Sequence, residues 1–388
     1  MDIKKELLIE LEFNPEKQIE FIKSTGGLKI VFDGNKVSVY YSSITEYCRA
    51  LLVIKSKGFK SPYEFSEKCA FNTLGFMIDC SRGAVLNYET VKKLIRILSL
   101  LGYNELMLYT EDTYEVDDEP YFGYLRGKYT QQELKSLTEY GEQFGVELVP
   151  CIQTLAHLNT LPQWGEYSAT FDLGDILFVN NERTYVLIEN MFKSLKKCYK
   201  TDKIHIGMDE AHLLGLGKYL DKNGYKQRIE IFNEHLIKVR DIAKKYGFKP
   251  MIWSDMFFRS VSCGKYMPFP EDTMQKIKEF VPSGVDLVCW DYYNTSVDFY
   301  RDFIDCHKII TDNVIFANGL WAWQGFVPHI SFTLDSIELS TRACIDRGVS
   351  HLFSTCWGDD GAECSIFAVL PMLCAQSELA YNDCSLDN

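Results

Sequence analysis

The sequence holds 388 residues with a formal net charge of −13, 46% hydrophobic and 24% charged residues. That acidic balance excludes a chain that grips nucleic acid or an anionic membrane surface, both of which need a basic face. The apolar share is that of a globular core and excludes disorder, and no apolar run approaches the ~18 residues that span a bilayer. The unusual feature is an aromatic share of 14%, with 6 Trp, 23 Tyr and 25 Phe.

Met1-Asp2-Ile3-Lys4-Lys5-Glu6 is charged and no apolar stretch follows it, so no secretory leader is expected. The 13 cysteines are odd in number, dispersed and without a C-x-x-C pair. That usage suits buried, reduced thiols in a cytoplasmic protein rather than a disulfide framework. It also lacks the ligand spacing of a zinc site, and no metal is expected.

Residues 1–68 read as a small α/β domain in the order β-α-β-β-α. Leu7–Leu11 is a short apolar stretch, and Pro15–Ser24 has helical spacing after a candidate cap at Asn14. Leu28–Phe32 and Lys36–Tyr41 flank Asp33-Gly34-Asn35, a hairpin signal. Ile44–Lys57 then reads as an amphipathic helix closed by Gly58.

Residues 69–388 carry a different rhythm. Short apolar strands start near Leu74, Glu105, Glu147, Lys203, Lys249, Val285, Val314 and Ser350. Amphipathic helices lie between several of them, over Tyr88–Leu101, Gln131–Phe144, Arg183–Tyr199, Arg228–Tyr246 and Asp335–Arg347. Alternating β and α implies parallel strands, and eight such units imply a (β/α)8 TIM barrel. An open doubly wound sheet is the alternative, but no G-x-G-x-x-G follows a strand. A last helix is expected over Ile366–Tyr381, soon after which the sequence ends.

A barrel keeps its chemistry at the C-terminal ends of its strands, and polar and aromatic residues gather there. In strand order these ends carry Asp79-Cys80-Ser81-Arg82, Thr110-Glu111-Asp112, Gln153-Thr154 with His157 soon after, Met208-Asp209-Glu210, Trp253-Ser254-Asp255, Trp290-Asp291-Tyr292-Tyr293, Trp321-Ala322-Trp323 and Trp357-Gly358-Asp359-Asp360. Five of the six tryptophans thus fall at one rim. Aromatic walls with carboxylates between them suit a sugar, whose C–H faces stack on rings while its hydroxyls need acceptors. The lack of lysine and the single arginine among the strand ends disfavour a phosphorylated ligand. Asp209-Glu210 is the sharpest signal. Adjacent residues of a strand face opposite sides, so for both carboxylates to serve one substrate the chain must leave strand geometry there.

His205-Ile206-Gly207-Met208-Asp209-Glu210 matches H-x-G-x-D-E, and the chain here resembles glycoside hydrolase family 20, the β-N-acetylhexosaminidases. The likeness also takes in Arg82, Thr110-Glu111-Asp112, His157, Trp253, Tyr292 or Tyr293, and Trp357-Gly358-Asp359 in order. The wording is most similar to the non-secreted, hexosaminidase D-like branch, and the N-terminal unit resembles the family's accessory domain. Larger relatives carry a further C-terminal segment. The resemblance implies removal of terminal β-linked GlcNAc, with GalNAc an open alternative, from small glycans or glycosides, without metal or cofactor. It implies substrate-assisted retention through an oxazoline-type intermediate, an exception to the two-carboxylate scheme. Glu210 would be the acid and base, Asp209 would orient the acetamido N–H, and Tyr292 or Tyr293 would hold the acetamido oxygen. Trp253, Trp321 or Trp323, and Trp357 would wall the sugar, and Arg82 and Asp359 would bind hydroxyls; Trp290, an extra residue beside the family pattern, is expected as a further substrate contact. Asp112 and His157 would form a relay to Glu210. Relatives are often homodimers. Two rival readings stand beside this one: a retaining glycosidase with a carboxylate nucleophile such as Asp291 or Asp359, and a catalytically silent sugar-binding barrel. Asp255 and Asp291 read equally well as substrate contacts or loop caps.

Overall fold

A computed structural model describes residues 2–359 and 361–386. The N-terminal unit contains helix α1 (Ile3–Glu10), strands β1 (Gln18–Lys23), β2 (Leu28–Phe32) and β3 (Lys36–Tyr41), helix α2 (Ile44–Lys57) and strand β4 (Tyr63–Glu67). Its sheet runs β1-β3-β2-β4, with β1 parallel to β3 and the other pairs antiparallel. Two expected elements are exchanged. The stretch expected as the first strand is helical, because Asp2 caps it by accepting the Lys5 N–H at 3.1 Å and its buried residues, Leu7 and Leu11, recur at helical spacing. The helix expected over Pro15–Ser24 is instead β1. Ile19 and Phe21 point alike into the sheet's packed side, a period of two, and the branched Ile19 and Ile22 suit a strand. The hairpin and α2 match the expectation, and Ser43 and Glu46 form a capping box at the start of α2.

The rest of the chain builds a closed barrel of eight parallel strands. In chain order come β5 (Thr73–Asp79), α3 (Tyr88–Leu101), β6 (Glu105–Thr110), α4 (Gln131–Gln143), β7 (Glu147–Ile152), a small ribbon of β8 (Phe171–Leu173) and β9 (Ile176–Leu177), and α5 (Glu182–Cys198). There follow β10 (Lys203–His205), α6 (Lys218–Asn223), α7 (Arg228–Lys245), β11 (Lys249–Trp253), α8 (Asp255–Val261), α9 (Glu271–Lys278) and β12 (Asp286–Trp290). The chain closes with α10 (Val297–Ile310), β13 (Val314–Gly319), α11 (Ile330–Asp346), β14 (His351–Cys356) and α12 (Leu370–Tyr381). β14 pairs with β5 and shuts the ring. The eight strands stand where the sequence puts them, and α6, α8, α9 and α10 are additions to the expected helices. Among the described residues no helix is long and apolar enough to cross a membrane.

The inside of the barrel is a packed column rather than a pore. Met77, Met107, Val149, Met251, Val288, Ile315 and Phe353 fill it, and Tyr109 and Trp253 top it, with Trp290 and Trp357 packed against them. At the opposite end Glu105 is fully buried and accepts from Lys203 Nζ at 2.7 Å, with His351 Nε2 at 2.8 Å. Burial disfavours the Glu105 charge, but His351 and Lys203 outweigh it and hold the carboxyl at about 2. The aromatic rim therefore sits on a rigid plug.

The N-terminal unit is joined to the barrel by Glu10–Arg96 and Glu6–Tyr140 bonds from α1 and by one buried arginine. Arg49 of α2 pairs with Glu67 of β4 at 2.6 Å, donates to the Leu101 carbonyl at 3.2 Å and to Ser377 Oγ at 2.8 Å, and lies 4.1 Å over the Tyr381 ring.

Candidate active site

Strand β10 stops after three residues, and the chain then turns sharply. Gly207, Met208 and Glu210 have φ of +68°, +69° and +51°, and a left-handed conformation at a residue with a side chain costs about 1–3 kcal/mol. Neighbours hold the turn. Thr154 Oγ1 donates to the Ile206 carbonyl at 2.8 Å, Gln153 Oε1 accepts the Met208 N–H at 3.1 Å, and Asp255 Oδ2 accepts the Glu210 N–H at 3.3 Å. A Cβ at Gly207 would lie 2.1 Å from Gln153 Oε1, so only glycine fits. The turn departs from strand geometry as the adjacent carboxylates require, and both Asp209 and Glu210 line one pocket of about 450 Å³.

Aromatic rings make most of the wall. Trp290 and Tyr292 stack at 5.1 Å and 28°, Trp323 meets Tyr292 edge-on at 5.6 Å, and Trp357 meets Tyr109 edge-on at 4.9 Å. Trp253 forms the floor, 4.3 Å from the His205 ring and 5.9 Å from Trp357. Tyr292 is buried, whereas Tyr293 stands at the lip and is 57% exposed. Gly319 has no room for a side chain, since a Cβ there would come within 2.8 Å of both Trp323 and Tyr292.

The polar side of the pocket is an ordered charge network. Asp209 is almost fully buried; its Oδ1 accepts from Gln153 Nε2 at 2.8 Å and its Oδ2 lies 3.2 Å from His157 Nε2. Burial opposes the Asp209 charge, but His157 and the Gln153 amide prevail and hold its carboxyl well below the usual range. Burial likewise opposes the His157 charge, and Asp209 overcomes it, raising the imidazole to about 9. His157 Nε2 also lies 3.9 Å from Glu210, which is 41% exposed to the cavity. Arg82 spans the neighbouring acids, reaching Asp359 at 2.8 Å, Asp79 at 3.3 Å and Glu111 at 3.3 Å. Burial, opposed by Arg82, pushes Glu111 up to about 7.

Eleven residues expected at the site meet in this pocket: Arg82, His157, Asp209, Glu210, Trp253, Trp290, Tyr292, Tyr293, Trp323, Trp357 and Asp359. Two others stand elsewhere. Asp112 does not form the expected relay with His157; it is bonded to Thr160 Oγ1 and paired with Arg126 at 3.2 Å, because the loop after β6 turns its side chain away from the cavity. Glu111, its neighbour, is the one that reaches Arg82. Trp321 lies behind the wall, with its indole N–H donating to the Tyr292 carbonyl at 2.7 Å and its ring edge-on to Tyr293 at 5.4 Å. Asp291 accepts from the Tyr293 and Asn294 N–H groups and Tyr300 Oη, a loop cap rather than a pocket carboxylate. Asp360 lies outside the described residues. Gln153 stands at the end of its strand in the sequence, but nothing there assigns it the bond to Asp209 that the fold provides.

One set of cation-ligand type exists among the described residues: donor atoms of His157, Asp209 and Glu210 lie within 4.8 Å of one another. The nearest pair in the set is His157 Nε2 and Asp209 Oδ2, at 3.2 Å.

Comparison with known proteins agrees with this geometry. The model of the glycosyl hydrolase family 20 catalytic domain matches residues 71–324. The chain is 22% identical over 317 residues to a beta-hexosaminidase subunit beta of Entamoeba histolytica, covering 72% of this chain and 54% of that protein. It is 23% identical over 219 residues to the beta-hexosaminidase subunit beta of Rattus norvegicus, covering 47% and 38%. The chain thus spans about half the length, or less, of these two relatives. Among solved structures, a beta-N-acetylhexosaminidase from Bacteroides fragilis superposes with a TM-score of 0.74 at 16% identity, over 96% of this chain and 81% of that one. An exo beta-N-acetylglucosaminidase from Vibrio harveyi, in complex with N-acetylglucosamine, gives 0.71 at 15%, over 98% and 69%. At such identities the structural likeness is one of fold, whereas the family match takes in the barrel from β5 to the aromatic loop after β13. The chain belongs to glycosyl hydrolase family 20.

Proposed function

We propose that the protein is an exo-acting β-N-acetylhexosaminidase that removes terminal non-reducing β-linked GlcNAc by a retaining, substrate-assisted mechanism. The observation that carries the reading is the adjacent pair at the pocket wall: Asp209, held ionised by His157 and Gln153, beside Glu210, which opens to the cavity. Each Asp209 oxygen retains a lone pair, so the carboxylate can accept the substrate's acetamido N–H and offset the positive charge that grows as the acetamido oxygen attacks the anomeric carbon. Tyr292, with burial keeping its hydroxyl protonated, suits the acetamido oxygen. Glu210 then protonates the leaving oxygen and later takes a proton from water. Arg82 and Asp359 supply hydroxyl contacts on the far side.

The thirteen free cysteines, most of them buried, support a working place in a reducing compartment, in keeping with the non-secreted branch. Turnover of p-nitrophenyl N-acetyl-β-glucosaminide with retained anomeric configuration tests the activity. Glu210→Gln should lower kcat by ~10²-fold or more. Undiminished turnover by that variant removes Glu210 from its role, and a trapped covalent glycosyl-enzyme favours a carboxylate nucleophile instead.

A further inference from the structure

Of the buried carboxylates that the chemistry proposed above leaves unused, Asp255 bonds the main chain of Glu210 itself. Asp255 is the first residue of α8, directly after the strand end that supplies Trp253, and it is fully buried. Its Oδ2 accepts two hydrogen bonds, from the Glu210 backbone N–H at 3.3 Å and from Arg259 Nε at 3.1 Å. Its Oδ1 is buried without a hydrogen-bond partner. A carboxylate serving only to neutralise Arg259 would take the guanidinium with both oxygens. Here a single oxygen is shared between the arginine and the main chain of Glu210. Arg259 is fixed in turn: Nη1 donates to the Gly264 carbonyl at 3.0 Å, and the guanidinium lies 5.8 Å from the Tyr266 ring centre and 6.0 Å from that of Trp290.

Glu210 needs such support, because its φ of +51° is a conformation that a glutamate rarely adopts. Asp255 is outside the pocket lining, so it acts on the reaction through its neighbours: Glu210 by a hydrogen bond and Asp209 through charge. We propose that Asp255 is a positioning residue: braced by Arg259, it locks the Glu210 main chain so that the Glu210 carboxyl enters the pocket, and it thereby controls proton transfer to the leaving oxygen. This inference rests on Glu210 acting as the acid. Burial and the nearby Asp209 push Asp255 up to about 7. The brace tolerates that, since a proton on the unpartnered Oδ1 leaves both bonds to Oδ2 in place. By the same geometry an asparagine can put its oxygen at the Oδ2 position and keep both bonds.

The test compares wild type, Asp255→Asn and Asp255→Ala on two aryl N-acetyl-β-glucosaminides. The 2,4-dinitrophenyl glycoside leaves with little help from an acid, and the phenyl glycoside needs full protonation. Asp255→Ala is expected to lower kcat/KM, which reports the leaving-group step and not the later attack of water, by ~10²-fold on the phenyl glycoside and by less than ~5-fold on the dinitrophenyl glycoside. Asp255→Asn should stay within ~5-fold of wild type on both. Equal losses on the two glycosides, or an asparagine variant as impaired as alanine on the phenyl glycoside, overturn the positioning role alone. A wild-type protein inert on both overturns the hexosaminidase reading and this inference with it. Should Asp255→Ala fail to fold, Arg259→Met removes the second anchor and carries the same comparison: a selective loss on the phenyl glycoside supports the brace, and equal losses refute it.

Discussion

Replacing Gln153 with leucine would strip the pocket of a support that never meets the substrate. The amide donates to Asp209 Oδ1 at 2.8 Å and to Tyr109 Oη at 3.1 Å, and it accepts the Met208 N–H at 3.1 Å. The bond to an ionised carboxylate contributes about 1.5–3 kcal/mol, and leaving the Met208 N–H buried without a partner costs about 1–3 kcal/mol. The leucine side chain, buried in the same place, offsets about 1.5–3 kcal/mol. The net expectation is a loss of about 1–3 kcal/mol in unfolding free energy, read by urea denaturation. Function should suffer as much. Asp209 would keep one of its two donors, its carboxyl would rotate toward His157, and the left-handed turn at Met208 would relax. A misplacement worth about 1.4–2.8 kcal/mol in the transition state lowers kcat/KM by ~10- to 10²-fold on an aryl N-acetyl-β-glucosaminide. A variant within about 0.5 kcal/mol of wild type in stability and within about twofold in kcat/KM would show that Gln153 merely fills space, and the account of Asp209 given above would fall.

Two further expectations follow from the same pocket. The ionised His157–Asp209 pair raises the imidazole to about 9, so the stability it supplies is complete below the ordinary value of 6.5 and is lost as pH rises through about 9; unfolding free energy should drop by about 1–3 kcal/mol over that window, and an unchanged slope in His157→Gln would refute the assignment. Gly319→Ala would drive a methyl to 2.8 Å from Trp323 and Tyr292. The rings must shift, and kcat/KM should fall by ~10-fold with the melting temperature nearly unchanged; full activity would mean that the Tyr292 wall tolerates displacement.

The barrel was legible because its strands are buried on both faces, so each reads as an apolar run that breaks into polar residues where the core ends. The first two elements of the N-terminal domain were not. Leu7–Leu11 and Pro15–Ser24 are short segments in which a few apolar residues fit either period, and partners distant in sequence decide between them: β1 is a strand because β3 lies beside it. Helix α10, absent from the expected helices, is legible by its period: Tyr300, Phe303, Ile304, His307 and Ile310 recur at helical spacing behind a cap at Ser296, with Asp298, Asp302 and Asp305 on the other face. At the site, Asp209-Glu210 could be found from spacing alone. Which of Glu111 and Asp112 reaches Arg82 could not, since adjacent residues diverge and the loop after β6 sets their directions. Gln153 and Asp255 stand at strand ends in the sequence, but their bonds to the N–H groups of Met208 and Glu210 were hidden, since a main-chain N–H leaves no mark on the sequence.

Arg49 gives the join between the two parts of the chain a further meaning. Leu101 ends the helix after the first barrel strand, and Ser377, Glu378 and Tyr381 belong to the helix after the last, so the groups this side chain grips in the barrel lie on either side of the seam where β14 meets β5. The N-terminal sheet therefore acts as a clasp across the closure of the ring. Its contribution to the active site is remote but mechanical: Asp79 and Gly358, whose side chain and N–H meet at 3.1 Å across that same seam, stay in register only while the ring stays shut.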